Sequence, residues 1–185
     1  EIGVPEAAPL VLYLGRLTAE KRPELAALAV EQLPGVHLAI AGDGHLKADV
    51  EAITSRYADR VHWLGVRSDV ADLLTAADVL ISPSWCEGFG LSIAEAMWLG
   101  VPVVGTPAGV LAGRSDLARL VPITAGVDSW VEAIRDELAN GPIVSRRVAH
   151  AQSFAQSHLH PDRFATEWSE YLGSLRPARD RPLGA

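Results

Sequence analysis

The sequence has a single cysteine, Cys86, and only two lysines, Lys21 and Lys47, among its 185 residues. One cysteine excludes an internal disulfide and a cysteine-rich metal site, and it is typical of proteins in a reducing compartment. Cys86 itself is interpreted as an inert loop residue, because nothing near it in the sequence supplies a base. The single cysteine therefore fits a cytoplasmic location.

Positive charge and long apolar runs are also limited. The formal net charge of -7 argues against nucleic acid as the main partner, because binding to a phosphate backbone requires a basic face. No apolar run has the length of a transmembrane segment, and no signal-peptide pattern opens the chain. With 49% hydrophobic and 21% charged residues, the composition is that of a globular domain with a sizeable core. Because the first residue is Glu1 rather than Met, we interpret the chain as a fragment or a processed form.

Short apolar runs alternate with amphipathic stretches along the chain, which predicts an α/β fold: a Rossmann-like parallel sheet with helices on both faces and further helices at the C-terminus. Strands are predicted at residues 10–14, 36–40, 61–64, 79–82 and 101–104, with a short one at 120–121. Helices are predicted to begin at residues 22–23 and to span residues 46–57, 70–76, 92–99, 127–138, 146–154 and 161–172.

The C-terminal part differs from the rest, because its helices have no strand between them. We predict a Rossmann-like domain over residues 1–155, a C-terminal helix within 156–174 and a flexible, charged and proline-rich tail at 175–185. Phe164, Trp168 and Tyr171 recur at helical spacing and form an aromatic stripe. The stripe packs either on this domain's own sheet or across a cleft on an absent domain.

The segment 84–95 is the most informative part of the sequence. It follows a predicted buried strand and places Glu87, Gly88 and Gly90 before a predicted helix that contains Glu95. The two glycines allow a sharp turn, and the amides of a helix N-terminus at a sheet edge attract anions. Ionised carboxylates only accept hydrogen bonds and therefore suit sugar hydroxyls. The pattern predicts a site for a phosphorylated, hydroxyl-rich ligand.

Each glutamate has a simpler interpretation as well. Ser92 and Glu95 have the spacing of a capping box, which would explain Glu95 without any ligand. Glu87 could be an ordinary exposed loop residue, although no helical group near it in sequence needs an acceptor.

A basic cluster follows the first predicted strand. Arg16 and Lys21 lie in the loop that begins at Gly15, where a guanidinium fork and an ammonium point charge could converge on a diphosphate. We expect Glu20 to orient Lys21 or to pair with Arg22. A solvated loop is the alternative for this cluster taken alone.

Five motifs follow one another along the chain. They are Gly15-Arg16-Leu17 with Glu20-Lys21, Gly42-Asp43-Gly44, Glu87-Gly88-Phe89-Gly90-Leu91, Glu95 seven intervening residues after Glu87, and Gly100-Val101-Pro102-Val103-Val104. Taken in this order, they resemble the C-terminal domain of GT-B glycosyltransferases, specifically the retaining glycosyltransferase family 4. The resemblance covers residues 10–104 and, more loosely, the chain to residue 172.

The resemblance implies a role for each matching residue. Arg16 and Lys21 would grip the donor's diphosphate, Glu87 would lie near the hydroxyls of the transferred sugar, and Glu95 would hold the ribose. Contacts to phosphate and sugar would come from the backbone of Gly88, Phe89, Gly90 and Leu91, and the base would lie near Val66 and Arg67. The resemblance assigns Gly15, Gly42 and Asp43 to the donor site as well.

The chain also departs from the family pattern. His45 stands where many members have proline, and Ala108-Gly109 represent only part of a glycine-rich and acidic motif. The family's N-terminal domain, which binds the acceptor and supplies a histidine, has no counterpart in this chain.

The resemblance implies transfer of a hexosyl group from a nucleotide diphosphate sugar, with net retention at the anomeric carbon. It implies no metal and no cofactor, because cationic side chains and a helix N-terminus would stabilise the departing diphosphate. The isolated chain is expected to be inactive or weakly active, and membrane association, if any, would belong to the absent domain. A non-catalytic nucleotide-binding scaffold and a GT-B-like epimerase are the alternatives. The sequence specifies neither the nucleobase nor the sugar nor the acceptor.

Overall fold

Strands and helices alternate through most of the computed structural model, which describes residues 3–174. The strands are β1 (Leu10–Leu14), β2 (His37–Ala41), β3 (Val61–Gly65), β4 (Val79–Ser82), β5 (Val103–Gly105) and β6 (Arg119–Leu120). The helices are α1 (Pro23–Glu31), α2 (Lys47–Thr54), α3 (Val70–Ala76), α4 (Leu91–Leu99), α5 (Val127–Leu138), α6 (Pro142–His158) and α7 (Pro161–Ser174). Short 3₁₀ helices span Ser55–Arg60 and Gly109–Leu111. The predicted α/β fold is confirmed.

The six strands form one sheet in the order β3-β2-β1-β4-β5-β6, and every neighbouring pair is parallel. From β1 the chain winds outward to β3 and then crosses to β4, on the other side of β1. The strand order therefore reverses between β1 and β4. Such a reversal leaves a crevice at the carboxyl ends of the two strands, because the connections that follow them diverge.

Two apolar layers cover the sheet. Val11 and Tyr13 of β1 belong to the layer that contains buried residues of α1, α2 and α5. Leu10 and Leu12 belong to the opposite layer, with buried residues of α3, α4 and α6. Successive strand residues point to opposite faces, which is why an almost uninterrupted apolar run forms each central strand. Since α1 and α4 lie on opposite faces, the loops leading to them separate above β1 and β4.

Several element boundaries differ from the prediction, most clearly in three places. The helix predicted at 46–57 ends as an α-helix at Thr54 and continues as a 3₁₀ turn. The helix predicted at 146–154 is longer, because Pro142 takes the first helical position, where its missing N–H costs little. Strand β5 begins at Val103 rather than Val101, since Pro102 has no N–H and Val101 donates its own to Ala96.

The C-terminal helix α7 has aromatic side chains on its surface. Trp168 and Tyr171 contact each other edge to face, with ring centroids 5.7 Å apart, and both are exposed. Packing of the stripe across a cleft on another domain stays a prediction. The predicted tail at 175–185 lies outside the described residues.

Candidate functional site

A cleft of about 670 Å³ opens at the reversal point of the sheet. Its walls are the segments that follow β1, β2, β3 and β4. Of the predicted site residues, the lining contains Gly15, Arg16, Lys21, Gly42, Asp43, Val66, Arg67, Glu87, Phe89, Gly90, Leu91 and Glu95. Gly88 is not among the lining residues. The carboxyl ends of neighbouring parallel strands meet at one edge, and this brings together loops that are far apart in sequence.

One ion pair crosses the cleft floor. The Nζ of Lys21 lies 2.6 Å from Oε1 of Glu87, and the two side chains are 21% and 9% exposed. The hydroxyl of Ser84 donates to the same oxygen at 2.7 Å. Among residues 3–174 no hydrogen bond engages Oε2 of Glu87, so this oxygen can accept one from a ligand hydroxyl.

Ser84 is a site residue that the sequence interpretation missed. It is buried, and its carbonyl accepts a hydrogen bond of 2.6 Å from the Thr106 hydroxyl. Ser84 therefore connects Glu87 to the segment after β5. Its position three residues before Glu87, in the same loop, could have indicated that its hydroxyl contacts the Glu87 carboxylate.

Arg16 lies at the exposed rim of the cleft and forms an ion pair with Glu20. Their side chains pair at 3.1 Å, with Arg16 71% exposed. The prediction that Glu20 orients Lys21 or pairs with Arg22 is wrong, because the turn after β1 brings Glu20 back over Arg16 while Lys21 extends to Glu87. The hydroxyl of Tyr13 donates to the Arg16 carbonyl at 2.7 Å and fixes the start of this loop. Burial raises the pKa of Tyr13, which stays a neutral donor.

Helix α4 points its N-terminus at the cleft. Gly90 is the residue before the helix and has a left-handed backbone, with φ 90°. Leu91 and Ser92 are the first helical residues, so their amides precede the first intrahelical hydrogen bonds. Their unpaired N–H groups and the helix dipole favour an anion here.

The structure also decides between the two interpretations of Glu95. Because Gly90 is the N-cap and no side chain caps this helix, Ser92 and Glu95 do not form a capping box. Glu95 lines the cleft instead, and no other described residue forms an ion pair or hydrogen bond with its carboxylate. Partial desolvation raises its pKa. An unpaired acceptor at the cleft wall is suited to hydroxyl donors.

Close backbone approaches explain two glycines of the site. A Cβ on Gly42 would lie 1.9 Å from the Gly15 carbonyl oxygen, so the loops after β1 and β2 can touch only with glycine there. A Cβ on Gly109, where φ is +58°, would lie 2.4 Å from the Phe89 carbonyl oxygen and 2.8 Å from Cβ of Glu87. The 3₁₀ helix that begins at Gly109 therefore supports the loop after β4.

The far end of the cleft follows β3. Val66 is 81% exposed there, and Arg67 forms a two-point ion pair with Asp69. The side-chain hydrogen bonds of Asp69 lower its pKa to about 2, so the pair is ionised at neutral pH. The apolar Val66 and the planar guanidinium present a flat surface.

Two features are absent from residues 3–174. No group of three or more His, Cys, Asp or Glu side chains is arranged to hold a metal ion. No helix combines the length and the apolar character that crossing a bilayer requires.

Comparison with known families gives one match along most of the chain. The family model described as "Glycosyl transferases group 1" matches residues 8–140. A D-inositol 3-phosphate glycosyltransferase from Mycobacteroides abscessus is 35% identical, over 97% of this chain and 47% of that protein. The Mycobacterium marinum protein of the same name is 30% identical, over 98% of this chain and 42% of that protein. The chain thus spans slightly less than half the length of these relatives.

Solved structures share the fold. Sucrose-phosphate synthase from Thermosynechococcus elongatus superimposes with a TM-score of 0.82 at 26% identity, over 92% of this chain and 46% of that one. HepE from Anabaena, determined in complex with UDP and glucose, has a TM-score of 0.82 at 24% identity, over 91% of this chain and 49% of that one.

Proposed function

The chain belongs to the group 1 glycosyltransferases and has the fold of a C-terminal GT-B domain, and from this premise we propose that its cleft binds a nucleotide diphosphate sugar. The observation that carries the proposal is the convergence of Arg16, Lys21, Glu87 and Glu95 on one cleft at the reversal point of the sheet. Cations suit a diphosphate and acceptor oxygens suit sugar hydroxyls. One elongated ligand that carries a diphosphate and sugar hydroxyls would provide partners for the cations and for the carboxylates of the cleft.

The proposed ligand orientation follows from the order of these groups. The diphosphate lies between the basic pair and the N-terminus of α4, and the ribose hydroxyls donate to Glu95. The base rests near Val66 and Arg67. The transferred sugar lies near Glu87, whose free oxygen accepts from a hydroxyl. The Anabaena structure contains UDP, which supports a nucleotide as the ligand of this fold. The charged groups of the cleft do not select a particular base.

In the proposed reaction the bond between the anomeric carbon and the diphosphate oxygen breaks, and its electron pair leaves with the diphosphate. A bond from an acceptor hydroxyl oxygen to the same carbon forms, and the proton of that hydroxyl passes to the leaving diphosphate. The transferred group is a hexosyl group, and the configuration at the anomeric carbon is retained. Arg16, Lys21 and the α4 amides would stabilise the charge on the leaving diphosphate. For this reason the proposal includes neither a metal nor a cofactor.

A second domain completes the proposed enzyme. The curated relatives are about twice as long as this chain, which leaves room for an acceptor-binding domain across the cleft. Closure of two domains excludes water and orients the acceptor, so the isolated chain would bind donor but transfer sugar slowly or not at all. A cytoplasmic location is part of the proposal and suits the single cysteine.

Calorimetric titration of this chain with UDP, GDP, ADP and inorganic pyrophosphate tests the proposal. We expect one nucleoside diphosphate to bind more tightly than pyrophosphate, because ribose and base contacts add to those of the diphosphate. Failure of all three nucleotides to bind would overturn the donor site and favour a scaffold. Rapid transfer by the isolated chain would overturn the expected need for a second domain.

A further inference from the structure

Arg22 has a backbone conformation that arginine rarely adopts. Its φ and ψ are 47° and 51°, in the left-handed region, immediately before helix α1. For a residue with a Cβ this conformation is strained, and such strain persists where the surroundings impose it. Glycine would adopt the same turn without strain. The arginine side chain must therefore contribute something that offsets the cost.

The side chain ties two distant segments together. Arg22 is only 7% exposed, and its Nε donates to the Pro83 carbonyl at 2.5 Å. Its Nη1 donates to the Ile123 carbonyl at 2.8 Å. The guanidinium carbon also lies 5.7 Å from the ring centre of Trp85. One buried cation thus joins the end of β4 to the segment before α5.

Three consecutive residues, Glu20, Lys21 and Arg22, form hydrogen bonds or ion pairs with the loop after β4. The Glu20 carbonyl accepts from the Trp85 amide at 2.8 Å, Lys21 pairs with Glu87, and Arg22 bonds to Pro83. Lys21 lines the donor cleft, whereas Arg22 lines a neighbouring cavity and has no atom in the donor cleft's lining. Arg22 therefore contacts the loop from the side of the neighbouring cavity and does not contact a ligand in the cleft.

We propose that Arg22 is a positioning residue, which holds residues 83–87 and Lys21 in the arrangement that binds the donor's diphosphate and sugar. This inference rests on the proposed function. The left-handed turn directs Lys21 and Arg22 to the same loop from two cavities, and the bonds of the guanidinium offset the strain of the turn. Loss of these bonds would free the loop that carries Glu87, and Lys21 would lose its fixed partner.

The test measures the affinity of R22M for the nucleoside diphosphate that the wild-type chain binds. We expect a loss of about tenfold, within the range for groups coupled through direct contacts. The same substitution in a K21M background should cost less than twofold, since Arg22 acts through Lys21 and the loop it holds. Equal losses in both backgrounds would overturn the inference.

The variant R22G separates the effect of the Arg22 side chain on ligand affinity from its effect on the stability of the fold. Glycine removes the backbone strain, so R22G should have a higher melting temperature than R22M while its affinity is as low. Wild-type affinity in R22G would overturn the inference, because the side-chain contacts would then be dispensable. R22G also keeps the test decisive if R22M does not fold.

Arg60 offers a matched control. Its Nη1 donates to the Leu33 and Val36 carbonyls at 2.9 and 2.7 Å, and its guanidinium lies 4.9 Å from the ring centre of Tyr57. R60M removes an equivalent set of contacts away from the cleft, so it should lower stability and leave affinity unchanged. Unaltered affinity in R22M with normal wild-type binding would overturn only the role of Arg22. Absence of binding by the wild-type chain would overturn the proposed function and the role of Arg22 with it.

Discussion

Lys21 and Glu87 are 66 residues apart in sequence, and Nζ of one lies 2.6 Å from Oε1 of the other. This pair links the loop after β1 to the loop after β4, at the place where the strand order reverses. Both groups are largely shielded from water, which strengthens their interaction and makes removal of one partner costly. A diphosphate entering the cleft would meet an ammonium group that is already fixed in place.

K21M is expected to weaken nucleoside diphosphate binding by about tenfold to a hundredfold, the range for a lost hydrogen bond to a charged group. Titration calorimetry measures the change. The control is K47M, which removes the other lysine of the chain: Lys47 is 51% exposed and pairs loosely with Glu51 at 3.9 Å. K47M should bind as the wild type does. Equal affinities of K21M and wild type would contradict the diphosphate site.

G109A is expected to damage both the stability and the cleft. The new Cβ would collide with the Phe89 carbonyl and with Glu87, in addition to the strain of a positive φ. G113A is the matched control, since Gly113 also has a positive φ, of +72°, but has nothing within 4 Å of an added Cβ. Urea unfolding should show a loss of about 1 kcal/mol for G113A and a larger one for G109A. Only G109A should lose nucleotide affinity, and a matching loss in G113A would count against a specific collision.

Much of the fold could be predicted, because apolar runs form the strands and helices and glycine and proline residues end them. The strand at 79–82 and the helix at 70–76 have the predicted boundaries. The edge at which the motifs meet was also predictable, since parallel strands place their following loops at one side of a sheet. Convergence of the basic pair and the two glutamates on one cleft follows from this rule.

Other features depend on side-chain directions that no local pattern encodes. The partner of Lys21 is such a case, because Glu20 is adjacent in sequence and Glu87 is not. The support that Gly109 gives to the loop after β4 is another, since it arises from packing between segments about twenty residues apart. Arg22 was expected to open a helix and to be a possible partner of Glu20, whereas its backbone angles reveal a strained turn.

R147M is expected to destabilise the fold without reaching the cleft. Arg147 of α6 forms an ion pair with Glu137 of α5, whose side chain is 0% exposed. Removing the cation leaves a buried carboxylate without its partner, which costs about 3–5 kcal/mol in other proteins. R146M changes the exposed neighbour and should shift stability by less than about 0.5 kcal/mol. Chemical denaturation compares the two, and similar losses would show that the buried pair contributes little.

The pH dependence of this loss has a defined sign. Burial raises the pKa of Glu137 above the usual 4.5, although the Arg147 charge lowers it in part. Without Arg147 the pKa would rise further, so the folded R147M would favour the protonated acid. The penalty should therefore be largest near neutral pH and shrink as the pH falls through the raised pKa towards 4.5. A loss that does not vary with pH would point to lost packing instead.

E95Q is expected to stabilise the ligand-free chain and to weaken ligand binding. Desolvation raises the Glu95 pKa above 4.5, so the ionised carboxylate disfavours the fold at neutral pH. The melting temperature of E95Q should exceed that of the wild type near neutral pH, and the difference should vanish below pH 4.5. E51Q, at an exposed glutamate of α2, should show no such gain.

Ligand binding should reverse the advantage of E95Q, because ribose hydroxyls donate better to a charged acceptor than to an amide. Calorimetry should give a loss of about three- to tenfold for the nucleoside diphosphate, in the range for one such hydrogen bond. The 2′,3′-dideoxy analogue lacks both hydroxyls and should bind equally to wild type and E95Q. An equal loss with the analogue would remove Glu95 from the ribose site, whereas the expected contrast would show that an unpaired carboxylate is retained at a cost to stability because the ligand requires it.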